Sequence, residues 1–472
     1  MLDEGSPVPV SVVRARVTTD ASGARTQLPV VITPDGVLEP LLEYFLARSH
    51  DRSLSWMKKV AHAVLLFLEY LFRNPDERSN YRLFLNFSQR LYTGTCDVAS
   101  GNDPSGLGWR PMNSKSAKRI VSALNDFFDF LGLNRPVALS FNPKWAGSSY
   151  DRMIDEVAFQ YRRDRAFLGH TWATSAEVAG IQGRAIRPKK EVKVETSRPP
   201  TFPEEHFEKL LTEGFRVGER VDYRGILITM LLHCAGFRES EPFHLFTSDV
   251  MPDPSNTASA LVLIHHPSQG AAPSTWNASV GSKKQFKNRR DYLQQAWNLN
   301  PRNEVMGPRH AGWKGGAHEI EFESLYYRAY WFSSWWGEFF LSIWYRYLEE
   351  LALMTREHPF AFVNTARDPL GEMYSIDQFS KAHARAVQRI GLEVSKKNGT
   401  TPHGHRYAYG QRLVKAGVPR ESIRRFMHHG SLESQEPYTA PSLADSFREL
   451  SEAETRLQQL NEFGRRKLMG LV

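Results

Sequence analysis

TPHGHRYAYGQRLVKAGVPRESIRRFMHHGSLESQEPYT, residues 401–439, decides how this chain is read. Pro402 suits the first turn of a helix, because its missing N–H is not needed there. The pattern beyond it predicts helices over 404–416 and 420–428. His403, His405 and Arg406 then fall at a helix start. His428 and His429 follow the second helix, and Tyr438 comes nine residues after His429.

The partner segment lies far upstream. AGFRESEPFHLFTSDV, residues 235–250, places Arg238 and Glu241 just after an apolar helix expected over 221–235, with Asp249 ahead of a strand. Two guanidiniums from remote segments can grip the non-bridging oxygens of one phosphodiester. They neutralise charge that grows in a pentacoordinate transition state. A histidine can take a phenol proton and return it, and a tyrosine can carry a covalent phosphodiester. The set performs phosphoryl transfer with neither metal nor cofactor. Arg238–Glu241 on its own also reads as an i,i+3 ion pair. The pair His428–His429 lacks the i,i+4 spacing and third ligand of a metal site.

These three segments resemble the signature boxes of the tyrosine recombinase (phage-integrase) family. AGFRESE is similar to its Gly–x–Arg–x–x–Glu box, PHGHR to its His–x–x–Arg box, and HHGSLESQEPYT to its final His and Tyr box. His405 stands where the family usually has Leu, and His428 where it usually has Gly. The resemblance implies a mainly α fold with a small β-sheet and two domains: a helical core-binding domain and an α/β catalytic domain, clamping duplex DNA between them. It implies Tyr438 as nucleophile and Arg238 and Arg406 on the phosphate. His403 would handle the tyrosine proton, His429 would bond the phosphate, and Glu241 would orient an arginine. The family's lysine acid belongs in a hairpin turn. Lys314, in HAGWKGGAHEIEFES, fits that better than Lys283 or Lys284 in VGSKKQFKNRR. His405 is a second, lesser candidate for the base. The implied function is site-specific recombination or integration of double-stranded DNA, for a mobile element. The implied assembly is a homo-tetramer joined through the C-terminal helix. Other readings are a type IB topoisomerase, a catalytically silent DNA-binding protein on the same scaffold, or a metal nuclease, which lacks ligands.

The remaining chain divides into a lead-in (1–36), a helical domain (37–170), a basic linker (171–200), the catalytic domain (201–450) and a C-terminal helix (451–472). The 472 residues can fill at least two cores. VVRARVTT and LPVVIT read as a β-rich lead-in around DASGAR. SLSWMKKVAHAVLLFLEYLF repeats apolar residues every three or four, which predicts an amphipathic helix. Another is expected from an Asn113–Ser114 cap to Gly132. Later expectations are helices at 203–214 and 376–392, strands at 260–266 and 358–364, and a buried aromatic helix across Tyr326–Leu351.

The formal net charge is +8, modest for this length. It permits a polyanion partner without demanding one. Lys189, Lys190 and Lys193 of the linker, and Lys283, Lys284, Lys287, Arg289 and Arg290 of a long basic segment (267–315), are candidate DNA-backbone contacts. Two distant cysteines make neither a disulfide framework nor a zinc site. With no signal-peptide pattern at MLDEGSPVPV and no long apolar run, a cytoplasmic, nucleoid-associated protein with no membrane contact is expected.

Overall fold

The computed structural model describes residues 10–430, apart from 19–22, 24, 98–99, 135–140, 146–147, 167–168, 172, 176–182, 190–198, 274, 278–281, 285, 316–318 and 322–323. Tyr438, Lys190, Lys193 and the helix expected at 451–472 lie outside the described residues. The chain forms two compact units, 1–193 and 194–472.

Unit one opens with an antiparallel pair, β1 (Ser11–Thr18) and β2 (Arg25–Thr33), in register from Ser11↔Ile32 to Thr18↔Arg25. The short β3 (Gly36–Val37) extends it. Helices α1 (Glu39–Ala47), α2 (Leu54–Arg73), α3 (Asn80–Thr93) and α4 (Ser114–Asn134) follow. Ser53 caps α2 by accepting from the Trp56 N–H, and Asn113 caps α4 by accepting from Ser116 at 2.8 Å. The apolar stripe of α2 buries Met57, Val60, Val64 and Phe67 against Leu28 and Val31 of β2 and Val121, Leu124 and Phe128 of α4. α4 runs two residues past Gly132, which is exposed and under no crowding, so it does not end the helix. α5 (Ser149–Arg165) comes next. β4 (Lys144–Trp145) pairs with β5 (Gly183–Arg184), and Asn142 bonds both N–H and C=O of buried Ile186. Residues 183–186 of the expected linker are thus fastened to this unit.

Unit two begins with an irregular helical run in place of one regular helix at 203–214. A 3₁₀ turn (Glu204–His206), α6 (Phe207–Lys209) and a π turn (Leu210–Gly214) succeed one another. A hairpin of β6 (Arg216–Val217) and β7 (Arg220–Val221) leads into α7 (Tyr223–Cys234). Every residue of α7 after Tyr223 is buried, as expected of a helix apolar on all sides. The sheet runs β12–β13–β9–β8, all antiparallel: β8 (Val250–Asp253), β9 (Asn256–His265), β12 (Glu319–Glu321) and β13 (Ser324–Arg328). Between β9 and β12 come the strand pair β10 (Thr275–Asn277) and β11 (Ser282–Lys284), then α8 (Arg289–Trp297). α9 (Trp335–Ala352), α10 (Ile376–Arg389), α11 (Pro402–Lys415) and α12 (Arg420–Phe426) complete the unit.

Two further expectations change. The aromatic stretch is not one helix from Tyr326: Tyr326 and Tyr327 pair with His265 and Ile264 of β9, and the helix starts at Trp335. Aromatic density suits strand and helix alike, and pairing with β9 settles it. HPFAFVN forms no strand; it makes single bridges at Phe360 and Val363. Among the described residues the unit is mainly α around a four-stranded antiparallel sheet, with two further strand pairs.

Candidate active site

A cavity of about 600 Å³ in unit two is lined by Arg238, Glu239, Lys314, His403, Arg406 and His429, among others. Five of the six expected cleft side chains meet there. They come from separate places: the loop after α7, the irregular stretch before β12, the first turns of α11, and the residues after α12. Tyr438 lies outside the described residues.

Glycine allows these backbones to close on one another. At Gly236, with φ +70°, a Cβ would sit 2.3 Å from the Tyr409 ring. At Gly404 a Cβ would stand 1.7 Å from the Gly399 carbonyl oxygen. That contact holds the start of α11 against the preceding turn.

Glu241 is fully buried and accepts twice from Arg238, from its backbone N–H at 2.7 Å and from Nη1 at 2.6 Å. The guanidinium is therefore aimed by a fixed carboxylate. Arg406 is buried and donates to the carbonyls of Gly236 and Met427. Its Nη2 also stands 2.9 Å from His429 Nε2, which must accept, so His429 is neutral there. Burial, then the charges of Arg406 and Arg238, push His429 down to about 3. Desolvation, then the charges of Arg406, Lys314, Arg238 and Lys396, bring His403 down to about 4. The His403 ring is nevertheless exposed at the cleft. A bound anion would therefore cancel much of the cationic share of that shift. Lys314 is a correction in part: it lines the cleft but lies in an irregular stretch ahead of β12, outside the β12–β13 hairpin, where Trp313 stacks on Tyr327 at 4.9 Å and the Tyr327 hydroxyl donates to the Lys314 carbonyl at 3.3 Å.

His428 adopts φ +53°, in the left-handed region that favours glycine. The ring offsets the strain by stacking between Phe237 and Tyr327, with centroids at 5.0 and 4.5 Å. His405 is a correction: it is fully buried and bonded to two other histidines, so it is no base for the cleft.

Arg289 is corrected as well. It is buried, paired with Asp249, bonded to the carbonyls of Ala271 and His244, and stacked over Phe246 at 4.0 Å. It pins the basic segment to the domain and is not a DNA contact. Arg302 does the same through the carbonyls of Arg309, Phe243 and Tyr374, and burial brings it down to about 9. Arg290 is exposed but paired with Glu304. Lys189 and Lys287 are exposed. Lys283 and Lys284 lie on β11, and their side chains are outside the described residues. Glu239, whose carboxylate accepts from Ser380 of α10 at 2.6 Å, is a cleft residue that sequence reasoning missed, although it lies inside the FRESE motif. Among the described residues, no group of three or more His, Cys, Asp or Glu is placed to hold a metal, and no helix is long and apolar enough to cross a membrane.

Fold and site together define a mainly α protein whose small-sheet unit carries a cationic, histidine-lined cleft. No family model and no curated protein matches the chain. Solved structures similar to it are recombinases and integrases. One is XerH site-specific recombinase bound to difH substrate in a pre-cleavage complex: 14% identity, TM-score 0.46, covering 87% of this chain and 81% of that one. Another is a lambda integrase dimer bound to a COC′ core site: 12% identity, TM-score 0.41, covering 85% and 95%. A third is XerA recombinase: 13% identity, TM-score 0.33, covering 88% and 97%.

Proposed function

We propose that this chain is a site-specific DNA recombinase or integrase that cuts and rejoins DNA through a 3′-phosphotyrosyl bond at Tyr438. One observation carries the proposal: Arg238, Arg406, His403, His429 and Lys314, scattered over some 190 residues, line a single cleft. Three cations there face a space large enough for a phosphodiester, and Glu241 is already engaged by Arg238.

In the proposed reaction the Tyr438 oxygen attacks the scissile phosphorus as its proton passes to His403. Arg238, Arg406 and His429 hold the non-bridging oxygens while negative charge grows on them. The bond from phosphorus to the 5′-oxygen breaks, and Lys314 supplies the proton to that leaving group. The phosphoryl bond is conserved on tyrosine, so a 5′-hydroxyl from another strand reverses the step without ATP. His403 is neutral near pH 7 and ready to accept a proton. Duplex DNA is the partner, and residues 451–472 are proposed to join protomers into a tetramer. Gel filtration of a chain ending at residue 450, with and without DNA, tests that assembly. An unchanged oligomer would exclude it.

The nucleophile is tested with a nicked suicide duplex. Wild type should trap a covalent protein–DNA adduct, and Tyr438→Phe should trap none. An adduct that persists in Tyr438→Phe removes Tyr438 from the mechanism.

A further inference from the structure

α11 carries His403 and Arg406 to the cleft, while His405 between them is fully buried. Its ring meets two more histidines. Nδ1 lies 3.0 Å from Nδ1 of His233, on the last turn of α7, and Nε2 lies 2.8 Å from Nε2 of His383, on α10. His233 Nε2 stands 3.2 Å from Glu204 Oε2. Arg412, two turns along α11 from His405, donates to both Glu204 oxygens at 2.6 and 2.8 Å and to the His233 carbonyl. Phe202 stacks on His405 at 4.2 Å, and Phe207 on His233 at 3.6 Å.

Hydrogen-bond logic orders the protons. Each neutral imidazole has one N–H and one lone pair. If the N–H groups run from His383 to His405 to His233 to Glu204, every ring N–H has an acceptor and the file ends on a carboxylate, with His233 Nε2 and Arg412 Nη1, 2.7 Å apart, both donating to Glu204 and not to each other. In the reverse order Arg412 Nη1, 2.7 Å from His233 Nε2, would donate to it. The file would then end on His383 Nδ1, which has no partner among the described residues. A buried donor left unpaired is the costlier outcome, which favours the inward order.

This chain of rings spans three of the elements that border the cleft. α7 runs into Arg238, α11 bears His403 and Arg406, and α10 holds Glu239 through Ser380. Apolar contacts fix a helix interface by shape, whereas hydrogen bonds also fix direction and length. We infer that His405, flanked by His233 and His383, is a positioning residue that sets the separation of Arg238 and Arg406. The inference rests on the function proposed for the cleft. It belongs to this chain in particular, since the resemblance expects Leu at position 405.

The test separates rate from amount of folded protein. In single-turnover cleavage at saturating DNA, amplitude reports the active fraction and the rate constant reports the geometry. His405→Leu breaks both links. His383→Phe keeps a ring and breaks one, which provides a variant if the first does not fold. Each should lower the rate constant by about tenfold or more, because small misplacements near reacting atoms are costly. Amplitude and DNA Kd should stay near wild type, and His405→Gln, which can keep one bond, should fall between. A lower amplitude or melting temperature with an unchanged rate constant overturns the inference. Inorganic phosphate, titrated into DNA-free protein by NMR, reads the two arginines without any chemistry at Tyr438. Wild type should bind it more tightly than either variant. If wild type forms no adduct, the proposed function fails and phosphate alone judges the brace. Absent or equal phosphate binding then overturns the inference as well.

Discussion

Arg238 is a cleft cation whose carboxylate partner has no contact with water. The pair joins chemistry to stability. Arg238→Ala leaves the Glu241 charge buried without its counter-ion, a loss that typically costs about 3–5 kcal/mol. Arg238→Lys keeps a charge but loses the fork that meets Glu241. We expect urea unfolding to show a large loss for Ala and a smaller one for Lys, with adduct formation abolished in the first and strongly reduced in the second. Wild-type cleavage by Arg238→Lys would remove bidentate grip from the mechanism. Arg289 obeys the same rule for a different purpose. Arg289→Ala should destabilise by a similar amount through Asp249, yet leave the salt dependence of DNA binding by the folded protein unchanged. A salt slope reduced by about one would return Arg289 to the phosphate contacts.

At the scale of elements, the start of α11 governs the cleft. Gly404 lets that turn rest on Gly399, and no side chain fits at 1.7 Å from a carbonyl oxygen. Gly404→Ala must move backbone. It should abolish adduct formation and lower the melting temperature, whereas Gly132→Ala in α4, where nothing lies within 4 Å, should leave stability the same or raise it slightly. A Gly404→Ala protein with normal cleavage would show that the contact is dispensable. His428→Gly poses a contest of two effects. Glycine relieves left-handed strain of about 1–2 kcal/mol. The lost ring leaves a cavity between Phe237 and Tyr327, and emptying such an aromatic site costs about 3–5 kcal/mol. The cavity should win, and a higher melting temperature for His428→Gly would show that it does not.

Over the whole molecule, buried neutral histidines set the response to acid. Burial is the first cause in each: it brings His233 and His358 down to about 4 and His265 and His383 to about 3, and holds His244, His405 and His428 well below the ordinary value. Unfolded, these rings take up protons as pH falls through about 6.5. The folded state refuses them until far lower pH. Their contribution is therefore complete above about 6.5 and drains away as pH falls from there toward 4. Each such group contributes up to about 1.4 kcal/mol per pH unit in that window. Glu204, which hydrogen bonds from His233 and Arg412 and the Arg412 charge hold at about 2 against desolvation, extends the loss below pH 4. Urea midpoints should fall steeply between pH 7 and pH 5.5, and a flat profile would contradict the burial of these rings.

How far this was legible from the chain alone depends on the range of the interaction. Caps, helical spacing and the three short motifs act within a few residues, and they placed α2, α4, α7, α10 and α11 and named five of the side chains that line the cleft. The chemistry of those side chains is intrinsic to their type, so sequence determined which residues can meet a phosphate. Tertiary structure decided the fate of the other charges and rings. Arg289 turns inward because Asp249, forty positions away, waits there, and Arg302 because the Tyr374 carbonyl does, seventy-two positions on. His405 leaves the cleft for the same reason, since its partners arrive on α7 and α10. Exposure of a cation or an imidazole depends on acceptors that other segments supply, and no local pattern of residues encodes where those segments will lie.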